Sequence, residues 1–260
     1  MTRRIVAVLA ILGYVSLHLP LLLLMLGSVN VSRSGARWDG FTLEWYRRLL
    51  HRHDLLVALR TSLIVGVVAT IVATGLGTLA ALALGRNRWR ITRAVEALLL
   101  VPIVTPEVIA GISLLILFSA VGMHLGLLTV IIAHATFCLP FTILVVMARL
   151  RGMDRSLEDA ALALGADEFT TFRRVTVPLL MPGIIAAALL AFTLSFDDFI
   201  ITFFTAGPGT STLPLVIYGM VRRTVEPTVN ALSALLVIGT TVLLLVAQHW
   251  MTPERVGTNA

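Results

Sequence analysis

Three carboxylates stand inside otherwise apolar stretches: Asp197 and Asp198 in SFDDFIITFF, and Glu107 just after Pro102 and Pro106. An ionised acid near the centre of a bilayer costs about 2.5–3.5 kcal/mol on insertion scales, so these side chains are not expected to face lipid. No basic residue lies at comparable depth in the same stretches. An acidic cavity without matching cations is relieved by a cationic solute or by protons. Acids that are protonated or hydrogen-bonded and tie helices together are the other use of such groups. Successive residues are about 100° apart around a helix, so Asp197 and Asp198 cannot share one direction. One can face a pore while the other pairs at a helix interface. Paired aspartates also suit the acid and base of a membrane-embedded enzyme, but neither a nucleophile nor a metal set accompanies them. His18, His124 and His134 are scattered, no H-E-x-x-H spacing occurs, and a metal site is not expected. The single cysteine, Cys138, reads as an inert apolar side chain. No G-x4-G-K-[ST] run occurs and the chain has no lysine. If ATP drives this protein, the nucleotide site is on a partner and no cofactor is bound here.

The elements that must position these acids are membrane helices. Of 260 residues 58% are hydrophobic and 13% charged, which excludes an ordinary soluble domain. Six stretches reach the roughly 20 apolar residues a span needs: 5–27, 61–84, 94–118, 127–148, 183–204 and 229–248. The expected fold is an all-α integral membrane protein with six transmembrane helices. Its parts are a first helix and outer loop over 1–60, a membrane domain over 61–250 with an inner loop at 149–182, and a short tail at 251–260. Ala69, Ala73, Gly77 and Ala81 form a small-residue stripe that lets another helix approach closely. Pro102 and Pro106 predict a kink in the third span. All twenty basic residues are arginine, and twelve fall on the inner side if both termini are cytoplasmic, which favours that orientation. The net charge of +6 suits an inner-membrane protein; no basic patch with stacking aromatics points to nucleic acid. Arg3 and Arg4 precede an apolar run too long for a signal sequence, so an uncleaved first helix is expected. In the first outer loop, Trp38, Phe41, Trp45 and Tyr46 suit interfacial anchoring or contact with an outer partner. The last outer loop, 206–228, reads as a short re-entrant or surface helix.

A polar insert, RGMDRSLEDAALALGADEFTTFRRVTVP, separates the fourth and fifth spans. Ser156 with Asp159 three residues on is a candidate capping box. Ala160, Ala161 and Ala163 keep the first helix slim, and Gly165 suits the left-handed residue that ends it. Asp167 is placed to cap a second helix carrying Phe169, Phe172 and Val175, with Pro178 expected to close it. Two short amphipathic helices joined by a glycine turn make a knob for a soluble partner.

Asp159-Ala160-Ala161, Gly165, Val175, Val177 and Pro178 keep every spacing of the E-A-A-x3-G-x9-I-x-L-P loop, with three conservative replacements. The chain therefore resembles the permeases of bacterial binding-protein-dependent ABC importers. PEVIAGISLL, SFDDFIITFFTAGPGTSTLPL, IYGMVRR and EPTVNALS look like the spermidine/putrescine group of that family. The resemblance implies a type I ABC importer permease fold with cytoplasmic coupling helices, in which Asp159, Ala160, Ala161, Gly165 and Pro178 meet the ATPase. It implies two ATP-binding subunits, a second homologous permease, and a periplasmic or lipid-anchored substrate-binding protein, all at the bacterial inner membrane. It also implies acidic and aromatic pore residues, here Glu107, Asp197, Asp198 and Trp45, along the path of a polyamine.

Overall fold

The computed structural model describes residues 2–32, 37–86, 90–223 and 226–251. The tail expected at 251–260, Met251 apart, lies outside them, as do Arg33 and Arg88. Within them the chain is helical: α1 Thr2–Ser28, α2 Glu44–Leu50, α3 His53–Arg86, α4 Arg90–Val104, α5 Glu107–Ala120, α6 Leu127–Arg151, α7 Ser156–Ala163, α8 Glu168–Thr171, α9 Val177–Asp197, α10 Ile200–Thr205, α11 Leu213–Arg223 and α12 Pro227–Met251. The segment 206–228 thus carries a helix, α11. A single antiparallel bridge, Asn30 with Phe41, is the one strand-like pairing among the described residues.

Of the six expected spans, not all are established among the described residues. Four helical runs are long and apolar enough to cross a membrane: Ile5–Ser28, His53–Gly85, Leu127–Arg151 and Glu168–Asp197. A fifth is added only if α4 and α5 count as one broken span. In α12 the described apolar stretch is shorter, Pro227–Val242. Two expected spans also need correction. The third is not one kinked helix but two, bent by 104° at residues 104–107, because Pro106 stands at the N-cap of α5 with extended backbone (φ −55°, ψ 133°) rather than inside a helix. The fifth begins some fifteen residues earlier than expected and stops at Asp197, short of 204.

The early start has a local cause. Pro178 does not close the second loop helix. The chain passes from α8 through a π turn, Phe172–Thr176, directly into α9, with Pro178 in the first turn of α9. A proline offers no N–H and its ring crowds the carbonyl four residues back. A π turn lets one residue slip out of the regular ladder, so the helix runs on past the proline.

The chain divides into two compact units: Met1–Leu56 with Val216–Ala260, and Val57–Leu215. In the first, α12 packs on α1 and α2, and Gly27 lies so close to Asn230 that a Cβ would stand 2.9 Å from its Nδ2. The loop after α1 is organised by Asn30. Its Nδ2 donates to the Arg37 carbonyl at 2.7 Å, and its Oδ1 accepts from the N–H groups of Ser32 and Asp39 at 3.1 Å each. Removing that side chain strands three backbone groups, each costing about 1 kcal/mol or more when unpaired. Asn30→Ala is therefore expected to destabilise the purified chain by about 3 kcal/mol in thermal unfolding, whereas a surface change would leave the midpoint in place.

In the second unit, α6 packs along α9, and α5 against α10. The small-residue stripe of α3 performs as expected: Ala69, Ala73 and Ala81 are fully buried. At Gly77 a Cβ would fall 2.1 Å from Thr142 Oγ1 on α6. Thr142 Oγ1 donates to the Ala73 carbonyl at 2.9 Å. Cys138 is fully buried in the cluster with Phe118, Phe137 and Ile201.

Candidate functional site

The helix that enters from the inner loop stops at Asp197 and restarts as α10, and the two aspartates at this break have opposite surroundings. Asp197, the last residue of α9, is exposed. No hydrogen bond or ion pair to it is found among the described residues. Asp198 adopts an extended backbone (ψ 128°) and is only 8% exposed. Its Oδ1 accepts the Ile201 N–H at 3.2 Å, and its Oδ2 accepts the Thr202 N–H at 3.0 Å, so it caps α10. His134 of α6 reaches the same carboxylate, Nε2 lying 3.3 Å from Oδ2 and 2.8 Å from Thr202 Oγ1. The other ring nitrogen, Nδ1, is 2.8 Å from Ser195 Oγ. His134, Ser195 and Thr202 are all buried, so the four side chains satisfy one another out of water.

Glu107 stands in the first turn of α5, just past the bend, and is exposed. Its carboxylate is near enough to Asp197 and Asp198 to feel the charge of both. The structure thus gathers the three expected acids into one electrostatic neighbourhood. Close packing brings this about: at Gly111, one turn beyond Glu107, a Cβ would lie 2.7 Å from Cδ2 of Phe204 on α10. Trp45, the fourth expected pore residue, belongs to the other compact unit. It is 6% exposed, and its indole N–H donates to the Asn30 carbonyl at 2.7 Å. Arg48 lies 5.0 Å above its ring, a cation–π contact. Its described contacts fasten the loop after α1.

The loop between α6 and α9 builds a second site. α7 has no buried side chain, and Asp159 and Ala160 are exposed. Gly165 has φ +90°, and the Gly165 and Ala166 N–H groups bond the carbonyls of Leu162 (3.0 Å) and Ala161 (3.1 Å). This is the left-handed termination that the sequence promised. The capping box is corrected. Ser156 is the first helical residue, and Asp154, two residues ahead, accepts its N–H at 2.9 Å. Those hydrogen bonds hold the Asp154 carboxyl below the usual carboxylate range, and the Thr170 hydroxyl does the same for Asp167 at the N-cap of α8. The elbow is tied to the helices above it through Thr176 Oγ1, which donates to Glu158, and through Arg155, which donates to the Gly85 carbonyl at 3.3 Å. Arg151 pairs with Glu96. Beside its exposed charges the elbow presents two large apolar side chains: Leu164 is 90% and Phe169 68% exposed. Outside a membrane, such side chains mark a contact surface.

Sequence reasoning missed the partners of Asp198. Ser195 and Thr202, three residues before it and four after, flank the break on α9 and α10. His134 lies 64 positions earlier in an apolar helix. A histidine in such a helix was the available signal, since a buried imidazole calls for polar partners.

Comparison with known proteins agrees with this architecture. Residues 54–253 match the family described as "Binding-protein-dependent transport system inner membrane component". The chain is 41% identical to the spermidine/putrescine transport system permease protein PotC of Escherichia coli (strain K12), over 90% of this chain and 89% of that protein. It is 40% identical to the putrescine transport system permease protein PotI of the same strain, over 88% and 84%. Among solved structures, a bacterial ABC transporter that imports the acidic polysaccharide alginate superposes with a TM-score of 0.75 at 17% identity, covering 96% of each chain. The MetNI methionine ABC transporter superposes at 0.66 with 20% identity, over 76% of this chain and 94% of that one.

Proposed function

The chain belongs to the binding-protein-dependent transport system inner membrane components, and from that premise we propose that it forms half of the path by which an ATP-driven importer admits a small organic cation, a polyamine such as spermidine or putrescine. The relatives are permease subunits rather than enzymes, so the adjacent aspartates are read as part of a solute path and not as an acid–base pair. The observation that carries the reading is the grouping of Glu107, Asp197 and Asp198, with Asp197 and Glu107 exposed. An uncompensated acidic cluster in a low-dielectric setting is stabilised by a cation. Two or more positive charges on a flexible amine chain match acids spread over two helices.

In this reading six spans cross the bacterial inner membrane with both termini in the cytoplasm, and a second homologous permease completes the path. A periplasmic or lipid-anchored binding protein delivers the cation to the outer loops. ATP is bound by two partner subunits, which dock on Asp159, Ala160, Ala161 and Gly165 and on the exposed Leu164 and Phe169, with Pro178 at the base of the adjoining helix. Closure of those subunits pushes the elbow and rocks the helices between outward- and inward-open states.

Two measurements test it. The complex co-purified with its neighbours is expected to hydrolyse ATP faster when the binding protein is loaded with spermidine or putrescine. Stimulation by anionic or neutral solutes alone would refute the cationic cargo. Asp197→Asn is expected to lower uptake about tenfold, as loss of some 1.4 kcal/mol of charge interaction would, while the complex stays assembled. Unchanged uptake would remove Asp197 from the path.

A further inference from the structure

We propose that the adjacent aspartates divide the work: Asp198 is a positioning residue, locked by His134, Ser195 and Thr202 into the break between α9 and α10, and this lock aims Asp197 at the cargo. The inference rests on the cationic-cargo reading above, but its labelling test does not.

The buried group is closed. Both Asp198 oxygens already accept backbone N–H groups, and His134 and Thr202 fill the remaining directions around Oδ2. A carboxylate so occupied has little capacity left for a passing amine. Asparagine is a poor substitute, since its NH2 would face one of the two N–H donors. Asp197 is the reverse case. It ends a helix, where the unsatisfied carbonyls make the environment negative and a carboxylate is disfavoured. Among the described residues no cation pairs with it, and it is exposed, so its charge is open to a cation from outside the chain. The position of Asp197 depends on where α9 stops, and the cap formed by Asp198 sets that point. His134 links the cap to α6, the helix that packs along α9. It is 1% exposed, so it acts on cargo only through the residues it holds.

The test places single cysteines in the assembled transporter in membranes and follows their reaction with a cationic methanethiosulfonate reagent. Native Cys138 is fully buried and serves as the silent background. Ser195→Cys keeps a small side chain beside His134 and reports whether the lock is shut; Asp197→Cys reports the path. The Asp197→Cys thiol is expected to react at least about a hundredfold faster than the Ser195→Cys thiol, as exposure governs thiol access. Adding His134→Ala should bring the lock reporter to within about tenfold of the path reporter. His134→Gln, which keeps a donor toward Asp198, should restore the slow rate. In the chain without reporters, His134→Ala should lower spermidine or putrescine uptake per assembled complex, and Gln should recover it. A lock reporter reacting as fast as the path reporter at the outset would overturn the proposal. So would His134→Ala leaving both the Ser195→Cys rate and uptake per complex unchanged. If the alanine chain is not recovered, Thr202→Val opens the same group and decides by the same rates. Were the cargo something other than a cation, the labelling pattern would stand and only the uptake results, for Asp197→Asn and for His134→Ala, would fail.

Discussion

Replacing Gly165 with valine is expected to abolish uptake while the membrane helices remain folded. No atom lies within 4 Å of a Cβ built there, so the effect does not come from crowding. It comes from φ +90°, a backbone state that costs an ordinary residue roughly 1–2 kcal/mol and a β-branched one more. Valine relieves that strain by moving φ negative. The Ala166 N–H then leaves the Ala161 carbonyl, α7 loses its stop, and the chain enters Asp167 in another direction. Leu164 and Phe169 no longer present one surface. Uptake should fall to background, with ATP hydrolysis either uncoupled from transport or lost with the ATPase subunits. Gly165→Ala should fall between valine and glycine. A valine chain that transports with full coupling would remove the elbow from the mechanism.

Gly207→Ala is expected to damage the fold itself. A Cβ there would stand 1.8 Å from the Leu125 carbonyl oxygen, 2.4 Å from its carbon and 3.0 Å from the Gly126 nitrogen. All three are backbone atoms, so no side-chain rotation makes room. The connection between α5 and α6 must move off the segment after α10. That motion strains Thr129, whose Oγ1 accepts the Gly126 N–H at 2.8 Å and donates to the Thr205 carbonyl at 2.8 Å. The cost should reach about 3 kcal/mol, the upper range for overpacking. A clear drop in thermal midpoint and yield is the expected reading; an unchanged midpoint would show that the two loops separate freely.

How much of this was legible in the sequence depended on the range of each interaction. Gly165 was readable because a left-handed stop is a local event with a residue signature. The small-residue stripe of α3 was readable because its four-residue spacing is a property of one helix. Ser156 was misjudged by one position: Arg155 stands at the N-cap of α7 and Asp154 takes the Ser156 N–H from the turn before it, a choice made by the path of the chain and not by residue type. Pro178 reads as a terminator by its chemistry, and the π turn that carries the helix past it has no signature in residue types. Pro102 and Pro106 announced a bend but not its size, because whether a proline kinks a helix or begins a new one is settled by packing. Asp197 and Asp198 do point apart, but the sequence argued this from an unbroken helix, whereas the cause is the extended backbone at Asp198. Which one was buried depended on His134, a contact no local pattern contains. Trp45 shows the same limit, since an aromatic beside a membrane serves packing or passage equally well in sequence.

The uninterrupted run from Glu168 to Asp197 has a mechanical consequence. Thirty residues at 1.5 Å each make a rod of roughly 45 Å. Its foot is the surface proposed to receive the ATPase, and its tip is the acid proposed to hold the cargo. With no intervening loop to absorb displacement, a tilt imposed below is delivered above at the same moment, and what compliance the rod has lies near its foot, at the π turn and at Pro182 just beyond it. Power stroke and release of the cation would then be two ends of a single movement, with no relay between them.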